Sequence, residues 1–501
     1  MDILDKLFLG FATAALPLNL LFCFLGVLVG TLIGVLPGIG PTATIAMLMP
    51  IALSLSPEAA LIMLAGIYYG AQYGGSTTAI LINVPGESSA AVTALDGHQL
   101  ARQGRAGPAL AVAAIGSFFA GTVATLIIVV FAPPLTAIAI QFGPAEYVGL
   151  IVLGLISSVA LAHGSVLKAL AMLMLGLLLG VIGTDIYTGA QRFTFGLLGL
   201  SDGLNFVAIA IGAFGLAEVI RNLENEDNRA IIAKRVTGLM PTREDWRRIV
   251  FPILRGTTLG SLLGVLPGAG AVLAAFAAYA VEKKISKTPE QFGKGAIEGV
   301  AAPESANNAS AQTSFIPMLT LGIPANPVMA LMIGAMIIQG IVPGPNVVKE
   351  QPALFWGTIA SMWIGNLMLL LLNLPLIGIW VRLLTIPYYV LFPAILAFSA
   401  IGVYGVTNNI FDLYTLALFG VGSYALSRLG CEPAPLLLGF VLGPMLEEHL
   451  RRGMMLFDGD PLMFFQRPIS AILLIAAALL LAALSVPSIM QKRRDVFAEK
   501  D

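Results

Sequence analysis

Charged side chains make up only 11% of this 501-residue chain, and histidine appears 3 times and cysteine 2 times. Each scarcity excludes something. With hydrophobic residues at 57% and a mean hydropathy of +0.90, a water-soluble domain, whose surface needs many more charges, is the wrong class. Cys23 and Cys431 sit in apolar surroundings, and two cysteines make no disulfide framework. His98, His163 and His449 are scattered, without metal-ligand spacing. A net charge of −1 gives no basic surface for nucleic acid or anionic lipid. The hydrolase patterns G-x-G-D, H-E-x-x-H and G-x-S-x-G are missing, and Asp185, Asp202, Asp412, Asp458 and Asp460 form no evident intramembrane pair, so no enzyme is expected.

What is present is apolar length. Stretches free of Asp, Glu, Lys and Arg cover 7–57, 106–145, 256–281, 305–348, 351–381, 383–411 and 468–491. At about 20 residues per span, roughly 10–12 membrane-spanning helices with re-entrant pieces are expected, an all-α polytopic membrane protein. The N-terminal MDILDKLFLG leads into a run far longer than the core of a signal peptide and reads as an uncleaved first helix.

One stretch occurs twice. GVLVGTLIGVLPGIGP (26–41) and GTTLGSLLGVLPGAGA (256–271) match Gly26, Gly30, Gly34 and Gly38 with Gly256, Gly260, Gly264 and Gly268. Spacing four places the glycines on one helix face, where another helix can approach closely. Each face then meets a breaker, Pro37-Gly38-Ile39-Gly40-Pro41 followed by Thr42, and Pro267-Gly268-Ala269-Gly270. Interrupted helices at matching places in two halves point to a transporter's binding site.

Behind each breaker lies a polar segment. In the first half Tyr68, Tyr69, Gln72 and Tyr73 precede Gly74, Gly75, Ser76, Thr77 and Thr78; a short apolar run then leads to Asn83-Val84-Pro85-Gly86-Glu87-Ser88. Two polar, glycine-bearing breaks around a run too short to span predict a re-entrant helical hairpin. The following LDGHQLARQGRAGPAL (95–110) reads as a solvent loop or short amphipathic helix. In the second half a loop, AVEKKISKTPEQFGKGAIEG, precedes a more polar hairpin with Glu304, Ser305, Asn307, Asn308, Ser310, Gln312, Thr313 and Ser314, broken on its return by Pro317, Pro324, Asn326 and Pro327. An intramembrane carboxylate such as Glu304 is costly and marks function by default. It could bind Na⁺ or a proton, or cap a helix N-terminus. Asn307 and Asn308 offer amide oxygens to a hard cation, a candidate Na⁺ position, and N–H donors to a carboxylate. Neither hairpin core contains Lys or Arg, so an anionic solute would be held by helix N-termini and backbone N–H groups, with a co-transported cation offsetting its charge.

Residues 221–255 carry eight basic side chains (Arg221, Arg229, Lys234, Arg235, Arg243, Arg247, Arg248, Arg255), which marks a cytoplasmic linker, and Lys492, Arg493, Arg494 and Lys500 give a basic tail. The expected organisation is a first transmembrane repeat over 1–220, the linker, a second repeat over 256–491 and a tail over 492–501. The repeats are expected to be inverted, since two facing hairpins build a midplane site most simply that way.

The stretches GVLPGIGPTATIAMLMP, YYGAQYGGSTTAILINVPGESSAAVTALDGHQLARQGRAGPAL, GVLPGAGA and APESANNASAQTSFIPMLTLGIP closely resemble the large membrane subunit of tripartite tricarboxylate transporters, the TctA family. The resemblance runs over essentially the whole chain. It implies a permease of the bacterial inner membrane working with a small four-span TctB-like subunit and a periplasmic TctC-like solute-binding protein. Uptake of a carboxylate would be driven by a Na⁺ or H⁺ gradient, without a cofactor. By analogy with other hairpin-bearing transporters, an elevator-like step is expected. A membrane scaffold or receptor for the binding protein, itself transporting nothing, is the competing reading. IPANP, where a glycine commonly follows the proline, is a departure from the family pattern, as is GAGA against the first half's GIGP.

Overall fold

Prolines at the first turn, where no intrahelical partner for an N–H is needed, open helix after helix: Pro17, Pro41, Pro57, Pro144, Pro327, Pro352 and Pro433. A computed structural model describes residues 3–36, 40–162, 165–185, 187–224, 238–266, 270–383 and 388–484. The first part runs α1 (Ile3–Ala14), α2 (Pro17–Val35), α3 (Pro41–Leu53), α4 (Pro57–Ile82), α5 (Ala91–Arg102), α6 (Ala106–Ala139), α7 (Pro144–Leu161) and α8 (Val166–Gly180). A small antiparallel hairpin pairing Gly183–Thr184 with Gln191–Arg192 precedes α9 (Phe206–Ala210), a π-helical turn and α10 (Ala217–Glu224). The second part runs α11 (Arg243–Val265), α12 (Gly270–Ile285), α13 (Glu298–Thr313), α14 (Phe315–Leu321), α15 (Pro327–Ile338), α16 (Val347–Glu350) and α17 (Pro352–Asn373). It closes with α18 (Ile377–Leu383), α19 (Tyr388–Thr407), α20 (Ile410–Arg428), α21 (Pro433–Leu456), α22 (Met463–Gln466) and α23 (Pro468–Leu484).

The fold is that of an all-α polytopic membrane protein. Among the described residues 5 helices are long and apolar enough to cross a membrane: Pro17–Val35, Ala106–Ala139, Phe206–Glu224, Pro352–Asn373 and Ile410–Arg428. Shorter apolar helices, among them Pro41–Leu53, Val166–Gly180, Pro327–Ile338 and Pro468–Leu484, account for the difference from the larger span count expected. Proline and glycine divide long apolar runs into pieces shorter than a membrane.

The glycine faces do what their spacing predicts. A methyl on Gly26, Gly30 or Gly34 would collide with the carbonyl oxygens of Met63, Ile67 and Ala71 on α4; one on Gly256, Gly260 or Gly264 would collide with those of Ala302, Ala306 and Ser310 on α13. The struck residues are offset by 239 positions in each case (Met63 to Ala302, Ile67 to Ala306, Ala71 to Ser310). α4 answers with Gly66, Gly70 and Gly74, packed on Val27, Gly30 and Thr31.

That packing corrects the reading of Gly74–Thr78 as a hairpin break: α4 is one continuous helix from Pro57 to Ile82. A helical glycine costs about 1 kcal/mol relative to alanine, and here the absent side chain is what lets the α2 backbone come close. The true interruption follows Ile82, where Asn83 adopts a left-handed conformation (φ 59°). α14 ends the same way at Gly322 (φ 71°), and both helix ends are followed by helices of 12 residues, α5 and α15.

Segment 95–110 is helical to Arg102, but Asp96 is fully buried, accepting 2.8 Å hydrogen bonds from the N–H groups of Gly293, Gly295 and Ala296 and from the Tyr279 hydroxyl. It therefore ties α5 to the connection ahead of α13. The charged segment 221–255 reaches into two helices: Arg221 lies in α10, and residues 243–255 form the start of α11, where Arg105 pairs with Asp245, Arg248 with Glu298 and Arg255 with Glu282. Glu282 belongs to α12, which thus extends into the expected loop. Residues 225–237, His163 and the tail 492–501 lie outside the described residues.

Gly34→Leu and Gly264→Leu should each wedge α2 from α4 or α11 from α13, and are expected to lower the yield of folded protein in detergent by size-exclusion chromatography; full yield would show that the contact is dispensable. Between α8 and α9, hydrogen bonds from Arg451 and then from the Tyr187 N–H hold the Asp185 carboxyl down from 3.8 to about 2. A depressed carboxyl stabilises the fold above its ordinary value and loses that contribution as pH falls toward the lower one. Asp185→Asn should thus lower the thermal midpoint at pH 7 and have a much smaller effect at pH 2.

Candidate functional site

α13 carries the polar strip, and every residue from Gly299 to Thr313 is buried. Glu304 lies mid-way along α13 and is fully buried, so it does not cap the terminus of its own helix. Its two carboxylate oxygens meet the hydroxyls of Ser76 on α4 and Thr93 on α5, both at 2.5 Å. One turn on, the Asn308 amide donates to Ser117 of α6 at 2.7 Å and to the Glu304 carbonyl at 3.1 Å. Asn307 donates at 3.1 Å to a second carboxylate, Glu87, in the connection after α4. Among the described residues no Lys or Arg bonds to either carboxylate.

Two contacts here are reciprocal. Asn307 meets Glu87, and Asn326, which caps α15 by accepting from the Met329 N–H, donates to the Tyr68 hydroxyl at 3.1 Å. The offset of 239 residues found at the glycine faces carries Tyr68 to Asn307 and Glu87 to Asn326. Each helix-to-helix connection thus touches the long helix of the other half, at the same place, as in a twofold-related contact.

Gly75, Gly86 and Thr78 form the floor beneath Glu87. The Gly86 N–H reaches the Gly75 carbonyl at 3.4 Å, Thr78 donates to that carbonyl at 2.9 Å, and a side chain on Gly86 would strike the Gly34 carbonyl. Thr77 and Ser76 line a cavity of ≈ 10 Å³ with Tyr73, Leu110, Ala113, Ala114, Ser117 and Asn373. Ser310 is buried and its hydroxyl has no hydrogen-bond partner; the same holds for the side-chain oxygens of Asn307 and Gln312 and the hydroxyl of Ser305. Orphaned buried oxygens are costly and indicate room for water or an ion.

Other predicted positions make no described hydrogen bond to Glu304 or Glu87, although Ser314 lies against the Tyr68 hydroxyl. Thr313 and Ser314 turn their hydroxyls back to the carbonyls of Ala309 and Ala311. Asn83 is exposed and serves as the left-handed helix end, a conformation asparagine tolerates. Pro324 is buried in the matching connection. Gly40 and Thr42 begin α3 and Gly270 begins α12; no described hydrogen bond joins them to the cluster. Pro37, Gly38, Pro267 and Gly268 lie outside the described residues.

The structure adds Glu87, Thr93, Ser117 and Tyr68. Glu87 was within reach of sequence reasoning, being the only charge between Glu58 and Asp96. Thr93 and Ser117 carry no such signal, since a lone hydroxyl on an apolar helix is ordinary.

A buried carboxylate, Glu304, and a half-buried one, Glu87, gathered with amides and hydroxyls at two helix connections inside an apolar helical bundle define a polytopic membrane protein with a polar centre. Residues 20–438 match the tripartite tricarboxylate transporter TctA family, and the chain belongs to it. It is therefore a membrane component of a transport system of several parts. Over 501 residues, all of both chains, it is 64% identical to a protein of Agrobacterium vitis described as an uncharacterized 52.8 kDa protein in the TAR-I ttuC' 3' region. A second Agrobacterium vitis protein, described as uncharacterized and from the TAR-II ttuC' 3' region, is 64% identical over 242 residues, 48% of this chain and 100% of its own. No solved structure matches the chain.

If the reciprocal contacts hold the two connections together, Glu87→Ala with Asn307→Ala should show a coupling of about 1 kcal/mol in a double-mutant stability cycle. Tyr68→Phe with Asn326→Ala should behave alike. Strict additivity in both cycles would mean the contacts contribute nothing.

Proposed function

We propose that this chain is the permease subunit of a binding-protein-dependent secondary transporter. It imports a carboxylate of the tricarboxylate or dicarboxylate type across the bacterial inner membrane, driven by a Na⁺ or H⁺ gradient. The observation that carries this reading is the composition of the centre: two carboxylates, Glu87 and Glu304, with amides and hydroxyls and, among the described residues, no basic side chain bonded to them. An anionic solute entering such a site adds negative charge to a centre already holding acids, so a cation must accompany it. Solute carboxylates would be held by Asn307 and Asn308 amides and by backbone N–H groups freed at the helix connections. It is read as a carrier, not a catalyst.

The two halves are read as homologous repeats. The common 239-residue offset, the left-handed ends at Asn83 and Gly322 and the reciprocal pairs support this. Inverted orientation and an elevator-like movement of the α2–α6 and α11–α15 regions follow by analogy with transporters of similar plan. A small TctB-like membrane subunit and a periplasmic TctC-like binding protein are the proposed partners.

Reconstitution separates this from a non-transporting scaffold. Radiolabelled citrate or succinate, whichever the binding protein retains, should accumulate in liposomes only when both membrane subunits, the binding protein and an ion gradient are present. Asn308→Ala should insert normally and lose at least about tenfold in initial uptake, since one buried amide bonds both Ser117 and the helix backbone. Binding-protein capture without accumulation would favour the scaffold; undiminished uptake by Asn308→Ala would remove that residue from the site.

A further inference from the structure

Resting on the transport reading above, we propose that the coupling ion is a proton, that it binds at the Glu304 carboxylate, and that it arrives through the small cavity beside Ser76. The argument starts from hydrogen counting. Ser76 Oγ lies 2.5 Å from Glu304 Oε2 and 3.1 Å from the Gln72 carbonyl, yet a hydroxyl has one proton to give. With Glu304 protonated on Oε2, the acid donates to Ser76, Ser76 donates to Gln72, and Thr93 donates to Oε1; both contacts of Ser76 are then satisfied. With Glu304 ionised, one of the two contacts of Ser76 has no hydrogen.

Charge accounting agrees. Glu304 is wholly enclosed, and an isolated ionised carboxylate in a dry interior neutralises unless it is paired. Among the described residues the elements around it supply no cation. From α4 comes the Tyr73 phenol, which donates to Asn366; from the connection after α4 comes Glu87, held by Asn307; from α5 come Asp96, held by Tyr279 of α12, and His98, bonded to the Ile80 carbonyl. α6 has no charged residue between Ala106 and Ala139. Arg248 and Arg255 of α11 are paired with Glu298 and Glu282, while Arg102, Arg243, Arg247, Lys283 and Lys284 are exposed.

The route is the third observation. The cavity of ≈ 10 Å³ lined by Ser76, Thr77, Ser117, Tyr73 and Asn373 has room for about one water, and Asn373, 5% exposed, has a side-chain oxygen there without a hydrogen-bond partner. A water bonded to Asn373 and to Ser76 would join the cavity to the Glu304 acid. Binding adds one proton to the carboxylate; release returns it to water, and no other bond changes. The same helix bears Asn307 and Asn308, so solute and proton would meet on one element.

The test uses the full complex in liposomes with the membrane potential clamped to zero and a lumenal pH dye. For the wild type, a one-unit pH gradient, alkaline inside, should drive up to about tenfold accumulation of labelled solute per coupled proton, with lumenal acidification. A Na⁺ gradient at equal pH should drive none. Glu304→Asp, which keeps a titrating group, should retain part of this; Glu304→Gln, which keeps length and hydrogen bonding, should bring the inside-to-outside ratio to one. A purely structural role predicts the reverse order, with Gln tolerated better than Asp, and that order would overturn the proposal. So would wild-type accumulation driven by Na⁺ alone, which needs no folded variant to observe. No wild-type accumulation under either gradient would defeat the transport reading itself.

Discussion

Contact between a glycine face and the carbonyl oxygens of a second helix is the constraint on which the rest of this structure depends. Within a bilayer there is no hydrophobic gain in bringing apolar helices together, so close backbone packing must supply the attraction. Gly26, Gly30 and Gly34 allow it for α2 on α4, and Gly256, Gly260 and Gly264 for α11 on α13. Pressed this near, α4 and α13 are held in position along their length. The polar residues they carry can then be set with little freedom.

What they carry is unusual for a membrane interior. Glu304 reaches from the second half to hydroxyls of the first, Ser76 and Thr93, and Asn307 reaches to Glu87. Asp96 performs a purely structural version of the same task, drawing three backbone N–H groups and a tyrosine hydroxyl onto one carboxylate. Where a carboxylate's donors include several fixed backbone groups, the charge is satisfied permanently. Glu304 and Glu87 meet only side chains that can turn away, beside oxygens that lack partners.

Much of this was legible in residue order, for reasons that differ by residue. The glycine faces could be read because their function depends on spacing alone, and spacing is a property of sequence. Glu304 could be read because a lone acid in a charge-free stretch carries its cost wherever it folds. Gly74 and Gly75 read as a helix break because glycine serves both to interrupt a helix and to let another segment approach it, and only the neighbours, Thr31 on α2 for Gly74 and Gly86 and Glu87 for Gly75, separate the two uses. Asp96, in a segment that looks solvated, is buried by a connection 200 residues away that no local pattern reveals.

The chain by itself determined its class, its two glycine faces and the helices that would carry polar chemistry, because hydropathy, glycine spacing and isolated charge act locally. Only the tertiary structure decided which side chains face one another. That Glu304 meets Ser76 and Thr93, that Asn307 meets Glu87 while Asn326 meets Tyr68, and that Ser117 joins Asn308, are outcomes of how α4, α5, α6 and α13 pack. Partners drawn from distant parts of the chain are chosen by shape and hydrogen-bond geometry, and these exist only once the helices are assembled.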